Sequence, residues 1–261
     1  MFTLSIDAIY SQINHILWPA IRILALFTSA PIFSEKSLNN KTKVALAVSI
    51  SWLISQNLPD AQIAIFSFAG IGVAVQQIII GVMMGLTVQL LFVSVRTAGE
   101  IMGMQMGLSF AMFFDPAGGQ NTPVISRILN LLATLLFLTF DGHLWMMSIL
   151  HDSFEVLPAS DERLNVQGMY YLVSQATFIF RCGLMLGLPV IALLLAINLT
   201  LGLLNRLTPQ LSIFVVGFPL TLTVGMMALM LKIYSLAPFL ENLMSDIFDH
   251  VSRILLLSGL G

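Results

Sequence analysis

The sequence predicts an all-α, membrane-associated protein built from helical hairpins, and three observations predict it. Lys and Arg number 11 and Asp and Glu 13 among 261 residues, where an average soluble chain of this length carries about 65 charges. Apolar residues make up 57% of the chain and the mean hydropathy is +0.94, more apolar surface than a compact soluble body of this size hides. Residues 61–95, 182–205 and 207–231 carry no charge, and each run reaches the roughly 20 residues a spanning helix needs. A β-barrel fits poorly, because barrel strands alternate apolar and polar residues while 71–95 and 186–204 are apolar on every face. The same numbers exclude a polar disordered chain. They also exclude collagen and a disulfide scaffold, since the 18 glycines follow no triplet and Cys182 is the one cysteine. A net charge of -2 supplies no electrostatic reason to expect nucleic acid.

Charges punctuate the elements. The first positive charge is Arg22, inside the apolar stretch Ile16 to Phe33, so the start lacks the basic region of a cleavable signal. Residues 44–59 are charge-free but stop at Pro59, and 128–140 stop at Asp141. Together with the long runs this makes about six apolar segments, several too short or too long for a plain span. Lys36, Lys41 and Lys43, and the surroundings of Arg96, Arg127 and Arg206, are positive, whereas 141–163 and the C-terminal stretch with Glu241, Asp246 and Asp249 are acidic. This alternation places the Lys/Arg loops on the cytoplasmic side. The most polar stretch, 158–163, divides the chain into parts 1–165 and 166–261. The second part is one large hairpin whose arms carry Pro189 and Pro219, with Thr208-Pro209 opening the second arm.

Side chains suited to catalysis are sparse. The chain has no His-Glu-x-x-His, no Gly-x-Ser-x-Gly, no phosphate-cradling glycine loop and no cysteine pair. His151 and Glu155 stand one helical turn apart without a third ligand nearby, and with Asp141 and His143 they are expected in a polar loop at the membrane edge. No catalytic residue, cofactor site or metal site is expected. Cys182 is expected to pack as a small hydrophobe.

The small residues and intramembrane charges say more. Gly99, Gly103 and Gly107 recur every fourth residue, as do the pairs Gly81/Gly85 and Gly183/Gly187. Such stripes let helix backbones approach closely in an apolar medium. Arg96 and Glu100 are placed to neutralise each other at i and i+4, while Arg22, Arg181, Arg206 and Lys232 have no local partner. A charge at a bilayer centre costs about 2.5–3.5 kcal/mol on insertion scales, so each must reach water or a partner. Met102 to Gln120 combines four methionines with Phe110, Phe113 and Phe114, then breaks at Asp115-Pro116 and Gly118-Gly119. Bulky, adaptable apolar groups beside a glycine hinge suit either a core-packing loop or a seal that excludes water from a passage.

Gly99-Glu100 through Met106-Gly107-Leu108-Ser109-Phe110, followed by Asp115-Pro116, resembles the central segment of the FliR family of flagellar type III export-gate proteins. Phe137 to Trp145, and Asn205 through Leu220 (Asn-Arg-Leu-Thr-Pro-Gln-Leu-Ser-Ile-Phe-Val-Val-Gly-Phe-Pro-Leu), are similar to that family's other signatures. The resemblance runs in order from Trp18-Pro19 to the last apolar arm. It implies a FliP-like unit over 1–165 fused to a FliQ-like hairpin over 166–261, assembled with FliP and FliQ around a channel for unfolded export substrates in the bacterial inner membrane, within the flagellar basal body. It further implies a non-enzymatic role: a plug over roughly 107–119 with Phe110, Met112, Phe113 and Phe114 as its apolar part, and a hairpin tip at Asn205, Arg206, Pro209 and Gln210 near FlhB. Two rival readings are an injectisome homologue and an independent secondary transporter. The latter would call for repeated halves, which the sequence lacks.

Overall fold

The elements run α1 (Ile6–Ser29), α2 (Asn40–Ser55), α3 (Phe68–Gln105), α4 (Val124–Thr139), α5 (Gly142–Val156), α6 (Val166–Ser174), α7 (Ala176–Leu207), α8 (Ile213–Lys232), a short 3₁₀ turn (Ile233–Ser235) and α9 (Leu236–Gly259). This computed structural model describes residues 6–34, 39–56, 58, 63, 67–108, 123–160, 163–208 and 213–259. Among them every regular element is helical. Three of the described helical stretches are each long and apolar enough to cross a membrane: Phe68–Gln105, Val166–Leu207 and Gly217–Gly259. Caps follow from sequence: the side chains of Asn39 and Asn165 accept from the backbone N–H of Lys41 (3.1 Å) and Gln167 (2.9 Å), which satisfies donors that a helix start leaves free.

Two compact units arise from interleaved stretches of chain. The first draws on Met1–Leu90, Asp141–Gln175 and Ser245–Gly261. In it α1 packs on α2, where the Ser51 hydroxyl donates to the Ile16 carbonyl. Gly81 and Gly85 of α3 face Ala25 and Ser29–Ala30 of α1 so closely that a Cβ at either glycine would strike α1 backbone. Trp18, Ile23, Leu26 and Phe27 are buried there, as are Ile80 and Met84. Toward the end of the chain Tyr171 Oη and His250 Nδ1 lie 2.8 Å apart.

Residues 142–156, expected within a polar loop, form a helix instead. Its buried residues Met146, Ile149, Leu150, Ser153 and Phe154 recur at i, i+3, i+4, i+7 and i+8, the spacing of one helical face. Asp141 starts it from a left-handed backbone (φ 55°, ψ 26°), a conformation Asp tolerates better than most residues. His143, His151 and Glu155 therefore ride on a helix.

The second unit draws on Leu91–Phe140 and Ala176–Met244. Its core joins Leu91, Val95, Ala98 and Met102 of α3 to Leu129, Ala133 and Phe137 of α4 and Leu186, Val190 and Leu194 of α7. Phe92 and Phe137 meet with ring centroids 5.5 Å apart. A Cβ on Gly183 would lie 3.0 Å from the Ser94 carbonyl, so α7 also sits close on α3. Cys182 is buried and not disulfide-bonded. Pro189 and Pro219 both lie inside helices.

Candidate functional site

The end of α3 is where the sequence turns from helix to the methionine- and phenylalanine-rich segment, and its backbone is satisfied group by group. The Leu108 N–H donates to the Gly103 carbonyl (3.1 Å) and the Gly107 N–H to Met104 (3.0 Å). With Gly107 at φ 83° this is a Schellman cap, and glycine is the residue that adopts the left-handed position without a Cβ clash. The next two carbonyls are met from the hairpin arms. Asn198 of α7 donates its amide to the Gln105 carbonyl (3.3 Å) and to Gln105 Oε1 (3.4 Å). The Thr221 hydroxyl of α8 lies 3.3 Å from the Met106 carbonyl, and 3.0 and 3.2 Å from the carbonyls of Gly217 and Phe218 on its own helix. The Met106 side chain is fully buried and rests where Gly225 leaves room: a Cβ there would lie 2.7 Å from Met106 Cγ and 2.8 Å from Cε.

The glycines singled out in the sequence divide by role. A Cβ on Gly99 would meet the Ser126 backbone, and one on Gly103 would lie 3.0 Å from Pro123 Cβ. At the same crossing the Ser126 hydroxyl donates to the Arg96 carbonyl (3.0 Å). Gly107 lies past the last residue of α3, so it serves as the cap and is not part of the helical stripe. Arg96 Nε and Glu100 Oε1 are 3.8 Å apart, with side chains 47% and 38% exposed; a pair this long and this wet contributes little.

Asn205 and Arg206 are exposed in the last turn of α7, where a cation suits the negative end of the helix dipole. Pro209 and Gln210 lie outside the described residues, as do Phe110, Met112, Phe113 and Phe114. The surrounding arms present apolar surface outward. Only 28% and 17% of the most apolar windows of Val166–Leu207 and Gly217–Gly259 are buried within the chain, against 61% for α3.

In the first unit, Arg22 has the partners that local sequence did not show. Its Nε donates to Gln77 Oε1 (2.8 Å), Nη1 to the Ser153 carbonyl (2.8 Å) and hydroxyl (2.9 Å), and Nη2 to the Leu157 carbonyl. The guanidinium also lies 4.1 Å from the centre of the Phe154 ring. Ser153 and Leu157 are at the C-terminus of α5, so the charge occupies the place where helix carbonyls lack internal partners and the dipole is negative. Burial pushes the guanidinium down to about 9, which leaves it charged at neutral pH. Among the described residues, Gln77 Nε2 and Trp18 Nε1 are buried without a hydrogen-bond partner.

Sequence reasoning missed Asn198, Thr221, Gly225 and Gln77. Asn198 carried a signal, as an amide in the middle of a charge-free apolar arm; Gly225 and Thr221 carried none that separates them from other small residues of α8. Among the described residues no group of three or more His, Cys, Asp or Glu side chains could hold a metal ion.

Residues 13–247 match the family described as bacterial export proteins, family 1. The flagellar biosynthetic protein FliR of Pectobacterium carotovorum subsp. carotovorum is 51% identical over 255 residues, covering 98% of each chain. FliR of Escherichia coli (strain K12) is 51% identical over 245 residues, covering 94% of each. FliR of Buchnera aphidicola subsp. Acyrthosiphon pisum (strain APS) is 43% identical over 256 residues, covering 98% of this chain and 99% of its own. With similarity at that level from end to end, the chain belongs to bacterial export protein family 1, among the flagellar FliR proteins.

Proposed function

We propose that this chain is a structural and gating subunit of the flagellar type III export gate, which forms a protein-conducting channel with FliP and FliQ and supplies its hydrophobic plug. The plug is the segment 107–119, with Phe110, Met112, Phe113 and Phe114 as the sealing side chains. One observation carries the reading. The helix that precedes this segment ends in a Schellman cap beside the buried Met106 and is contacted by both arms of the following hairpin, which is the fixed root a plug requires. The apolar outer surface of those arms supports association with sister subunits and lipid in the inner membrane, within the basal body. On the same reading, 1–165 is the FliP-like part, 166–261 is the FliQ-like hairpin, and its tip at Asn205, Arg206, Pro209 and Gln210 meets FlhB.

The mechanism is steric and hydrophobic. Apolar side chains exclude water from the resting passage and yield when an unfolded substrate enters, with no chemistry at a catalytic side chain and with energy supplied elsewhere. Deleting 110–114 tests this. The complex should still assemble, and membranes holding it should conduct ions at rest. Unchanged conductance across the deletion variant would refute the plug.

A further inference from the structure

The last four carbonyls of α3 have two kinds of partner. Gly103 and Met104 are satisfied by the chain's own Schellman cap at Gly107 and Leu108, whereas among the described residues the Gln105 carbonyl accepts from Asn198 and the Met106 carbonyl lies within reach of the Thr221 hydroxyl, 93 and 115 residues away in sequence. A buried carbonyl left without a donor is costly, and more so in apolar surroundings. The fit is also steric, because Met106 is fully buried and its Cγ, Cε and Sδ occupy the space that any side chain at position 225 would take. We propose that Asn198, Thr221 and Gly225 are positioning residues of the gate: they form a seat that fixes where and in which direction the chain leaves α3 at Leu108, and so hold the seal at rest.

This deepens the plug reading and rests on it. Thr221 has one proton and three carbonyls within 3.3 Å. Thr221→Val keeps the shape and removes the proton; Thr221→Ser keeps the proton. Gly225→Ala sets a methyl against Met106, and adding Met106→Ala removes the atoms it strikes. A Thr221 that acted only through packing would favour Thr221→Val, which keeps its shape, over Thr221→Ser.

The test records resting ion conductance of membranes containing the full complex expressed from its own operon, with the amount of assembled complex measured in parallel. The variants are Thr221→Val, Thr221→Ser, Gly225→Ala, Gly225→Ala with Met106→Ala, and the deletion of 110–114. The seat predicts a several-fold rise in conductance for Thr221→Val and Gly225→Ala. It predicts a wild-type level for Thr221→Ser, and a fall back toward wild type when Met106→Ala accompanies Gly225→Ala. If Gly225→Ala fails to assemble, the Thr221 pair decides alone, since Thr221→Val keeps the shape of the side chain while Thr221→Ser gives up a methyl and keeps the proton. Should the deletion leak while Thr221→Val stays tight, the seat is wrong and the plug stands. A tight deletion variant overturns the plug and the seat with it.

Discussion

Removing the guanidinium of Arg22 strands specific partners, and their number sets the cost. In Arg22→Met the Ser153 carbonyl still accepts from the Leu157 N–H (3.0 Å) and the Ser153 hydroxyl still donates to Leu150 (2.6 Å). Gln77 Oε1 and the Leu157 carbonyl lose the guanidinium donors that served them. Each stranded buried acceptor costs about 1–3 kcal/mol. The charge's own burial cost is released at the same time, which brings the expected net loss to about 2–4 kcal/mol. At about 2–4 °C per kcal/mol for a chain of this size, the melting temperature of the detergent-solubilised complex should fall by roughly 4–16 °C. Arg22→Lys should cost at least as much, because it keeps a buried charge and lacks the planar fork that reaches acceptors on three residues at once. Arg22→Met with Gln77→Leu should regain about 1–3 kcal/mol over Arg22→Met alone, since the glutamine acceptor goes and its unpartnered amide goes too. Melting within 2 °C of wild type for Arg22→Met, or a double variant no better than the single, would refute the reasoning.

Two further perturbations separate crowded from open positions on α3. Gly99→Ala places a methyl on the Ser126 backbone, which cannot swing aside, and should cost about 1–3 kcal/mol. Gly72→Ala meets nothing within 4 Å and should gain about 0.5–1 kcal/mol from the helix preference for alanine; the same melting assay should show opposite signs. Glu100→Gln removes a pair 3.8 Å apart and partly exposed on both sides, so the melting temperature should move by less than about 2 °C.

The class of fold was legible because it depends on composition and charge spacing, which need no tertiary information. The same holds for the i, i+4 pairing of Arg96 with Glu100 and for the small-residue spacing at Gly99 and Gly103. What depended on distant partners was hidden. Arg22 looked unpaired because Gln77, Ser153 and Leu157 lie 55 to 135 residues further along, and hydrogen-bonding complementarity at that range leaves no local pattern. The polar residues of 141–157 drew attention from a face of Met146, Ile149, Leu150 and Phe154 that already had helical spacing. Gly107 shares its interval with Gly99 and Gly103 and so passed for a third member of their stripe. Spacing cannot distinguish a packing glycine from a cap, since both exploit the missing Cβ, one for room and the other for a positive φ.

The composition of α3 follows from its neighbours. A surface helix keeps a polar face, whereas a helix packed on several sides has no use for one. In the first unit α1 approaches α3 at Gly81 and Gly85. In the second, α4 approaches at Gly99 and α7 crosses near Ser94 and Ala98 by way of Gly183 and Gly187. Gln77 and Arg22 supply the one buried charged contact along this stretch that the described residues display, and it is capped by the end of α5. A helix held this way over most of its length transmits little slack to its last turn. At its terminus by Met106, Asn198 donates to the Gln105 carbonyl and the Thr221 hydroxyl comes within reach of the Met106 carbonyl, two carbonyls that a Schellman cap alone leaves open. Had α3 ended in solvent, water would have served those two carbonyls, and neither an amide nor a hydroxyl would have been needed in arms otherwise so apolar.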